Sequence, residues 1–475
     1  MNNSNCNVFL NKEGAEKIHK AALKVLSTTG VKVGHKEAEQ IFLAAGAKKD
    51  NNERVLIPTA LVEEALTNVD KTVQLYDRDG NKSLLLKNGN NYFGTGSDAL
   101  YNIDVEDWSM RRTKLTDIGR NVKIADALNF DFVMSMGLPD DVPKNKLYSS
   151  IFAEMVKNTT KPMVVTSTTL ADVKQTHKIA SMVAGSKEKF ADNPFILAYM
   201  EPISPLQMDH SGTDKLLYCV ENGIPILYAA GNNSGSGAPI SPEGGVIQGT
   251  AESLSGLVLA YLKDKNVKFV YGANTSSMDM KKMIVCYGAP EWAKTVAMYA
   301  DMGKYYNMPN WGTAGCSDTY SLDLQAAWEA QESIQLAVMS DSTMNHDVGF
   351  LGHGELYDPR MLVLTDEMIK RSRHLYQPVE LDEKEIDEVI QVINDVCLGK
   401  EIYPSHLYTF TNFRKYLWLP PAYVFRGNTT DIKKAEFKSI SELLKEEVNQ
   451  ILSDYKVKEL PSGVDMEIDN YLSEH

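Results

Sequence analysis

From about Asn90 to Leu375 one pattern recurs along the chain: a short apolar, β-prone run, a loop of Gly, Ser, Asn or Pro, and then an amphipathic stretch at helical spacing. Such alternation is the signature of βα units, and successive units build a parallel sheet. The predicted strands are Tyr92 to Gly96, Phe130 to Gly137, Pro162 to Ser167, Pro194 to Glu201, Pro225 to Gly231, Lys268 to Ala273, Asn310 to Ala314 and Thr343 to Leu351. A helix is predicted after each: Lys114 to Leu128, Leu147 to Asn158, Ala171 to Val183, Thr213 to Asn222, Glu243 to Lys263, Glu291 to Tyr306, Leu322 to Met339 and Thr365 to Leu375. Thr116-Asp117 in the first and Asp323 in the seventh supply helix-start signals. Eight successive units fit a closed (β/α)8 TIM barrel, ~250 residues in its usual form, better than an open doubly wound sheet with fewer strands.

The flanks read differently. Residues 1–88 carry helical patterns at Gly14 to Thr29, Lys36 to Ala45 and Pro58 to Ala65, then a small β-like piece, Val73 to Leu86, and are predicted to form an N-terminal helical cap. The barrel is assigned to 89–378. Residues 379–475, with the helices Glu383 to Val396 and Ile432 to Leu452, form a C-terminal extension expected to pack on the barrel or on a neighbouring subunit.

Length and composition narrow the class. A chain of 475 residues, 43% hydrophobic, buries a large core in one barrel with extensions. Its net charge of -14 argues against phosphate backbones and anionic membranes as partners. No run approaches the ~18 apolar residues of a membrane span, and the Asn-rich start has no basic-then-apolar order, so a cytoplasmic protein is expected. Cys6, Cys219, Cys286, Cys316 and Cys397 are odd in number and far apart, which suggests neither a disulfide framework nor a paired-Cys metal site.

Most motifs that would name a chemistry are missing from the sequence. The loop Gly231 to Gly237 is neither a P-loop nor a GxGxxG turn; HExxH, CxxC and GxSxG are absent; and His346 and His353, seven apart, make a weak case for a metal, so none is expected. Cys316 has no His near it in sequence and reads as a packed thiol.

In a barrel, chemistry gathers at the C-terminal strand ends. Those ends are rich in aromatics: Tyr92, Tyr199, Tyr228, Tyr271, Trp311 and Phe350, with Asn232, Asn274, Asp98, Asp318, His346, His353, Glu201 and Glu355 as polar companions. Alternation puts Tyr199 with Glu201 on one face and Tyr228 with Asn232 on one face. A ring of Tyr and Trp suits a quaternary ammonium, which has no N–H donor and is held by π faces at about 0.5–2 kcal/mol per contact. Each aromatic also has an ordinary reading as core. Glu201 and His346 are the candidate catalytic pair, because charged or polar groups at barrel strand ends rarely serve packing alone. An acid/base enzyme using that pair and a protein that only binds the ligand stay open on these residues.

Three segments carry a resemblance: NHDVGFLGHGELYDPRMLVLTDEM (Asn345 to Met368), EPISPLQMD (Glu201 to Asp209) and HLYTFTNFRKYLWLP (His406 to Pro420). They resemble the trimethylamine methyltransferase family, over nearly the whole chain. The resemblance implies a (β/α)8 barrel that moves a methyl group from an amine to the cobalt(I) of a separate corrinoid protein docked over the barrel mouth, and a homo-oligomer. Where archaeal trimethylamine enzymes carry pyrrolysine, the resemblance places Gly352 in this chain. The chain therefore resembles the branch that demethylates quaternary amines such as glycine betaine, proline betaine, carnitine or γ-butyrobetaine, with Gly352 expected to leave room for the larger cation. The implied substrate box is Tyr92, Tyr199, Tyr228, Tyr271, Trp311 and Phe350, with Glu201 as counter-charge and Asn232, His346 and His353 as hydrogen-bonding groups. No DxHxxG loop is present, so the cobalt corrinoid is expected on the partner and no cofactor on this chain.

Overall fold

A computed structural model describes residues 7–379, 382–399, 401–434 and 438–474. Its centre is a curled parallel sheet whose strands follow the order Tyr92–Phe93, Met344–His346, Asn310–Thr313, Phe269–Asp279, Ile226–Ser234, Ile196–Met200 and Met163–Val165. Every neighbouring pair in that order is parallel. Between the two edge strands run Phe132 and Val133, tied by single parallel bridges to Gly94 on one side and Met163 on the other.

The predicted strand Phe130 to Gly137 is thus reduced to two bridges. Its ladder is interrupted locally: the Met134 N–H donates to the Thr95 hydroxyl at 2.8 Å, and Met136, at φ 59°, turns the chain away. The predicted strand Thr343 to Leu351 also breaks. It stops at His346 because Asp347 takes φ 64°, and Phe350–Leu351 joins another sheet, antiparallel to Leu356–Tyr357. Two strands run longer than predicted, Ile226–Ser234 and Phe269–Asp279, and the latter folds back on itself through Ile284–Cys286.

Helices follow the strands as the amphipathic pattern requires: Leu115–Ala127, Leu147–Asn158, Leu170–Ala184, His210–Glu221, Pro242–Lys263, Pro290–Tyr306, Leu324–Met339 and Pro359–Leu375. Their starts have local causes. Asp117 accepts from the Lys114 N–H at 2.8 Å, and Asp323 accepts from Gln325 and Ala326 N–H at 2.9 and 3.2 Å. Asp358 accepts from Arg360 N–H at 2.9 Å, and Pro359 opens the last helix, six residues before the predicted Thr365. The longest, Pro242–Lys263, presses on the sheet so closely that a side chain at Gly256 would collide with the Tyr228 ring.

Along each strand alternate residues enter two different cores. Leu197, Leu227, Ala229, Val270, Trp311 and Met344 point inside the sheet, where they meet Val73, Leu75, Leu84 and Leu86 of the hairpin Val73–Tyr76 and Lys82–Leu86. That hairpin fills the N-terminal end. Ile196, Ala198, Ile226, Tyr228, Phe269 and Tyr271 point outward into the helix layer.

The N-terminal segment, expected to be helical, contributes the helices Lys12–Thr28, Lys36–Ala44 and Thr59–Asn68 and also a small sheet. Val31–Val33 pairs with Arg54–Leu56 and, in parallel, with Gln207–Met208, which stitches this segment to the rest. In the C-terminal segment Glu383–Cys397 forms as predicted, whereas the expected helix Ile432 to Leu452 is represented by the helices Thr429–Lys434 and Ile440–Asp454, with 435–437 outside the described residues. Cys6 also lies outside them; Cys219, Cys286, Cys316 and Cys397 are free thiols.

Candidate functional site

At the C-terminal ends of the strands opens a cavity of about 680 Å³. Strand parity decides what faces it: the inward series of Ile196–Met200 continues from Leu197 through Tyr199 to Glu201, and that of Ile226–Ser234 runs to Gly231 and Asn233. Neighbouring ends add Asn274, Ser276 and His346, the loop after His346 adds Asp347, His353 and Glu355, the loops after Ile284–Cys286 and Asn310–Thr313 add Tyr287 and Tyr320, and the first turn of the helix Pro290–Tyr306 adds Trp292.

The floor is acidic. Tyr199 donates its hydroxyl to the Glu201 carboxylate. Burial pushes the Glu201 carboxyl up from the ordinary range, against that hydrogen bond. Burial alone pushes Asp347 up to about 8, and burial pushes Asp98, just behind, up to about 6. Desolvation of an unpaired carboxylate favours its neutral form; a cation brought close reverses that preference. Asp98, Asp347 and His353 all hold left-handed backbone, at φ 66°, 64° and 59°, conformations that non-glycine residues adopt rarely and that cluster at functional sites. The approach of Asp347 also requires a glycine opposite, since a side chain at Gly96 would strike its carboxylate and the Phe350 ring.

His346 is held neutral. Burial lowers its pKa to about 4, its Nδ1–H donates to the Gly312 carbonyl at 2.8 Å, and Nε2 lies 3.2 Å from Asp347 Oδ2. The imidazole lies against Trp311, centroids 4.2 Å apart. Across the cavity Tyr287 and Trp292 meet edge to face at 4.0 Å, Tyr320 donates to Glu355 at 2.8 Å, and His353 Nδ1 sits 3.0 Å from Asp318.

The structure therefore brings together Tyr199, Glu201, Asn274, His346, His353 and Glu355 of the residues singled out from sequence. Trp311 lies one layer lower, fully buried beneath His346. Tyr228 and Asn232 do share a face, but the outer one: Tyr228 meets the helix at Gly256, and Asn232 donates to the Gly245 carbonyl at 3.2 Å. Tyr271 points the same way, its hydroxyl 2.9 Å from that of Thr250. Tyr92 begins its strand instead of ending it, so it stands at the far end, hydrogen-bonded to Leu85 of the hairpin. Phe350 packs edge to face on Tyr357 at 5.1 Å, buried behind Asp347. The space beside Gly352 is taken: a Cβ there would meet the Tyr320 ring at 2.5 Å, so the room expected for a larger cation is filled by Tyr320. Asp347, Tyr287, Trp292 and Tyr320 were not singled out; the one signal for Asp347 was its place directly after His346.

Among the described residues one group brings three metal-type ligand atoms within 4.8 Å of one another: His35, His210 and Asp214. It lies outside this cavity. His35 Nδ1 accepts from Ala38 N–H at 3.3 Å, which leaves the proton on Nε2, 2.8 Å from Asp214, as in a hydrogen-bonded tether.

Residues 2–475 match the family described as trimethylamine methyltransferase (MTTB). A trimethylamine methyltransferase of Desulfitobacterium hafniense (strain DSM 10664 / DCB-2) is 26% identical over 450 residues, covering 94% of this chain and 90% of the relative. A glycine betaine methyltransferase of Desulfitobacterium hafniense (strain Y51) is 23% identical, covering 97% and 95%. An L-carnitine:corrinoid methyltransferase of Eubacterium limosum is 25% identical, covering 83% and 82%. The crystal structure of the Methanosarcina barkeri monomethylamine methyltransferase shares the fold, with a TM-score of 0.50 at 13% identity over 94% of this chain and 88% of that one.

Proposed function

This chain belongs to the trimethylamine methyltransferase family, and on that premise we propose that it takes a methyl group from a quaternary amine and passes it to a corrinoid protein. The observation that carries the reading is the acid-floored, aromatic-walled cavity at the C-terminal strand ends, with no Lys or Arg among its described lining residues. Such a site holds a cation without needing a hydrogen-bond donor from it. The single bridges at Phe132 and Val133 support reading the curled sheet as a closed (β/α)8 barrel over 89–378, flanked by the N-terminal segment 1–88 and the extension 379–475. No described helix is long and apolar enough to cross a membrane. A cytoplasmic homo-oligomer, meeting its corrinoid partner over the mouth, is the expectation that goes with the family.

The corrinoid, carried by the partner, supplies a cobalt(I) nucleophile. The protein's own residues have a simpler task. Glu201 and Asp347 balance the ammonium charge, and Tyr199, Tyr287, Trp292 and Tyr320 wall it in and exclude water, so that one N-methyl faces the mouth. The C–N bond breaks with its electron pair left on nitrogen, and a neutral tertiary amine departs, so no general acid is required. That agrees with His346, whose Nδ1–H is committed to the Gly312 carbonyl and whose Nε2 faces Asp347. It also weighs against an acid/base enzyme built on Glu201 and His346.

The relatives' names offer glycine betaine and carnitine as two candidate substrates. The test incubates the purified chain and a corrinoid protein reduced to cobalt(I) with a panel of quaternary and tertiary amines, and follows the cobalt spectrum. Demethylation of one quaternary amine supports the reading; silence across the panel with both proteins folded removes it.

A further inference from the structure

The charges around the cavity have one sign. Glu201 and Asp347 form the floor, Glu355 lies at the side, and Asp98 stands behind. Among the described residues no lysine or arginine lines the space. The nearest buried base, Lys215, donates to the Ser167 carbonyl at 2.5 Å, behind Glu201. Lys281 and Lys282 sit exposed in the turn between Phe269–Asp279 and Ile284–Cys286 and do not line the cavity. His346 offers no charge, since burial holds it neutral, and the His353 Nδ1 is turned away to Asp318 at 3.0 Å.

What the cavity does offer to the rest of a substrate is neutral. Ser276 donates to the Asn233 amide oxygen and Thr313 donates to the Asn274 amide oxygen at 3.1 Å, so each amide is oriented by its oxygen with its NH2 group left to donate. Two oriented amide donors match a hydroxyl or carbonyl oxygen. A carboxylate there would enter a space lined by three carboxyl groups with no lysine or arginine among the described lining residues to meet it, and like charges repel.

We infer that the substrate is a quaternary amine whose tail is a neutral polar group of the hydroxyl type, and that the cavity discriminates against the carboxylate of a betaine. The inference rests on the methyl-transfer reading and narrows it. A substrate of this kind brings one uncompensated positive charge to the acidic floor, where a betaine brings no net charge. On transfer it loses one methyl, the nitrogen keeps the bonding pair, and a neutral dimethylamino alcohol leaves.

The experiment is isothermal titration of the full chain with choline, tetramethylammonium, glycine betaine and 3,3-dimethylbutanol, the neutral carbon counterpart of choline. Each is followed by the methyl-transfer assay with the reduced corrinoid protein. Choline is expected to bind at least about tenfold tighter than glycine betaine, about 1.4 kcal/mol, with no binding of the neutral counterpart. Asn274→Ala is expected to weaken choline more than tetramethylammonium, which has no tail. Glycine betaine binding as tightly as choline and being demethylated overturns this inference and leaves methyl transfer standing. Methyl transfer from none of the three quaternary amines overturns both.

Discussion

His346 lies on the indole of Trp311, ring centroids 4.2 Å apart and planes inclined by 28°, so one polar ring lining the cavity rests on one apolar ring beneath it. The stack fixes where the imidazole sits, and the Gly312 carbonyl fixes which nitrogen carries its proton. A change in either layer is therefore felt in the other.

Trp311→Ala removes the largest fully buried side chain of the inner core. The expected cost is about 3–5 kcal/mol of stability, together with a loss of substrate affinity as His346 drops. Denaturant unfolding and substrate titration on the same preparation check this. Affinity and stability both unchanged would take Trp311 out of the site's support.

Glu201→Gln keeps the shape of the floor and removes its charge. Affinity for a quaternary ammonium should fall roughly 10- to 100-fold with little change in folding, as expected for the loss of one close ionic partner. Calorimetry reads the effect directly, and a fall of less than twofold would assign the counter-charge elsewhere.

Asp347 makes binding depend on pH. Its carboxyl is raised by burial from the ordinary aspartate value to about 8, so between those limits the folded protein holds a proton that the unfolded chain has released. Stability contributed at this position is present at low pH and falls as pH rises toward 8. Affinity for a cation moves the other way, rising from pH 6 to 9 as the carboxylate forms. Asp347→Asn should flatten both trends, measured as melting temperature and as dissociation constant against pH.

Tyr228→Phe and Tyr271→Phe should leave substrate affinity unchanged, because both rings face the helix layer. Tyr271→Phe also removes the contact to Thr250 and should cost about 1 kcal/mol. A clear drop in affinity for either variant would show that the outer layer reaches the site.

Gly352→Ala should displace Tyr320. The residue stands at φ 55°, where a side chain is strained, and the new methyl would meet the Tyr320 ring. Loss of affinity with a cost of about 1–3 kcal/mol is expected; wild-type binding would mean that Tyr320 is not part of the wall.

The sequence by itself determined the succession of strands and helices, because amphipathic spacing and caps such as Asp323 are local properties. It also determined that Tyr199 shares a face with Glu201, and Tyr228 with Asn232, because strand alternation is local too. Which of the two faces looks inward was settled only by the tertiary structure. A parallel strand covered on both sides is apolar on both, as in ILYAAG, and its residue pattern holds no mark of inside and outside. The same holds for the walls. Tyr287 and Tyr320 come from loops, Trp292 from the first turn of a helix, and Asp347 from a break in a strand, so their meeting depends on the curling of the sheet across about 145 residues of chain between Tyr199 and Met344. Contacts at that separation are decided by packing, which no local pattern records.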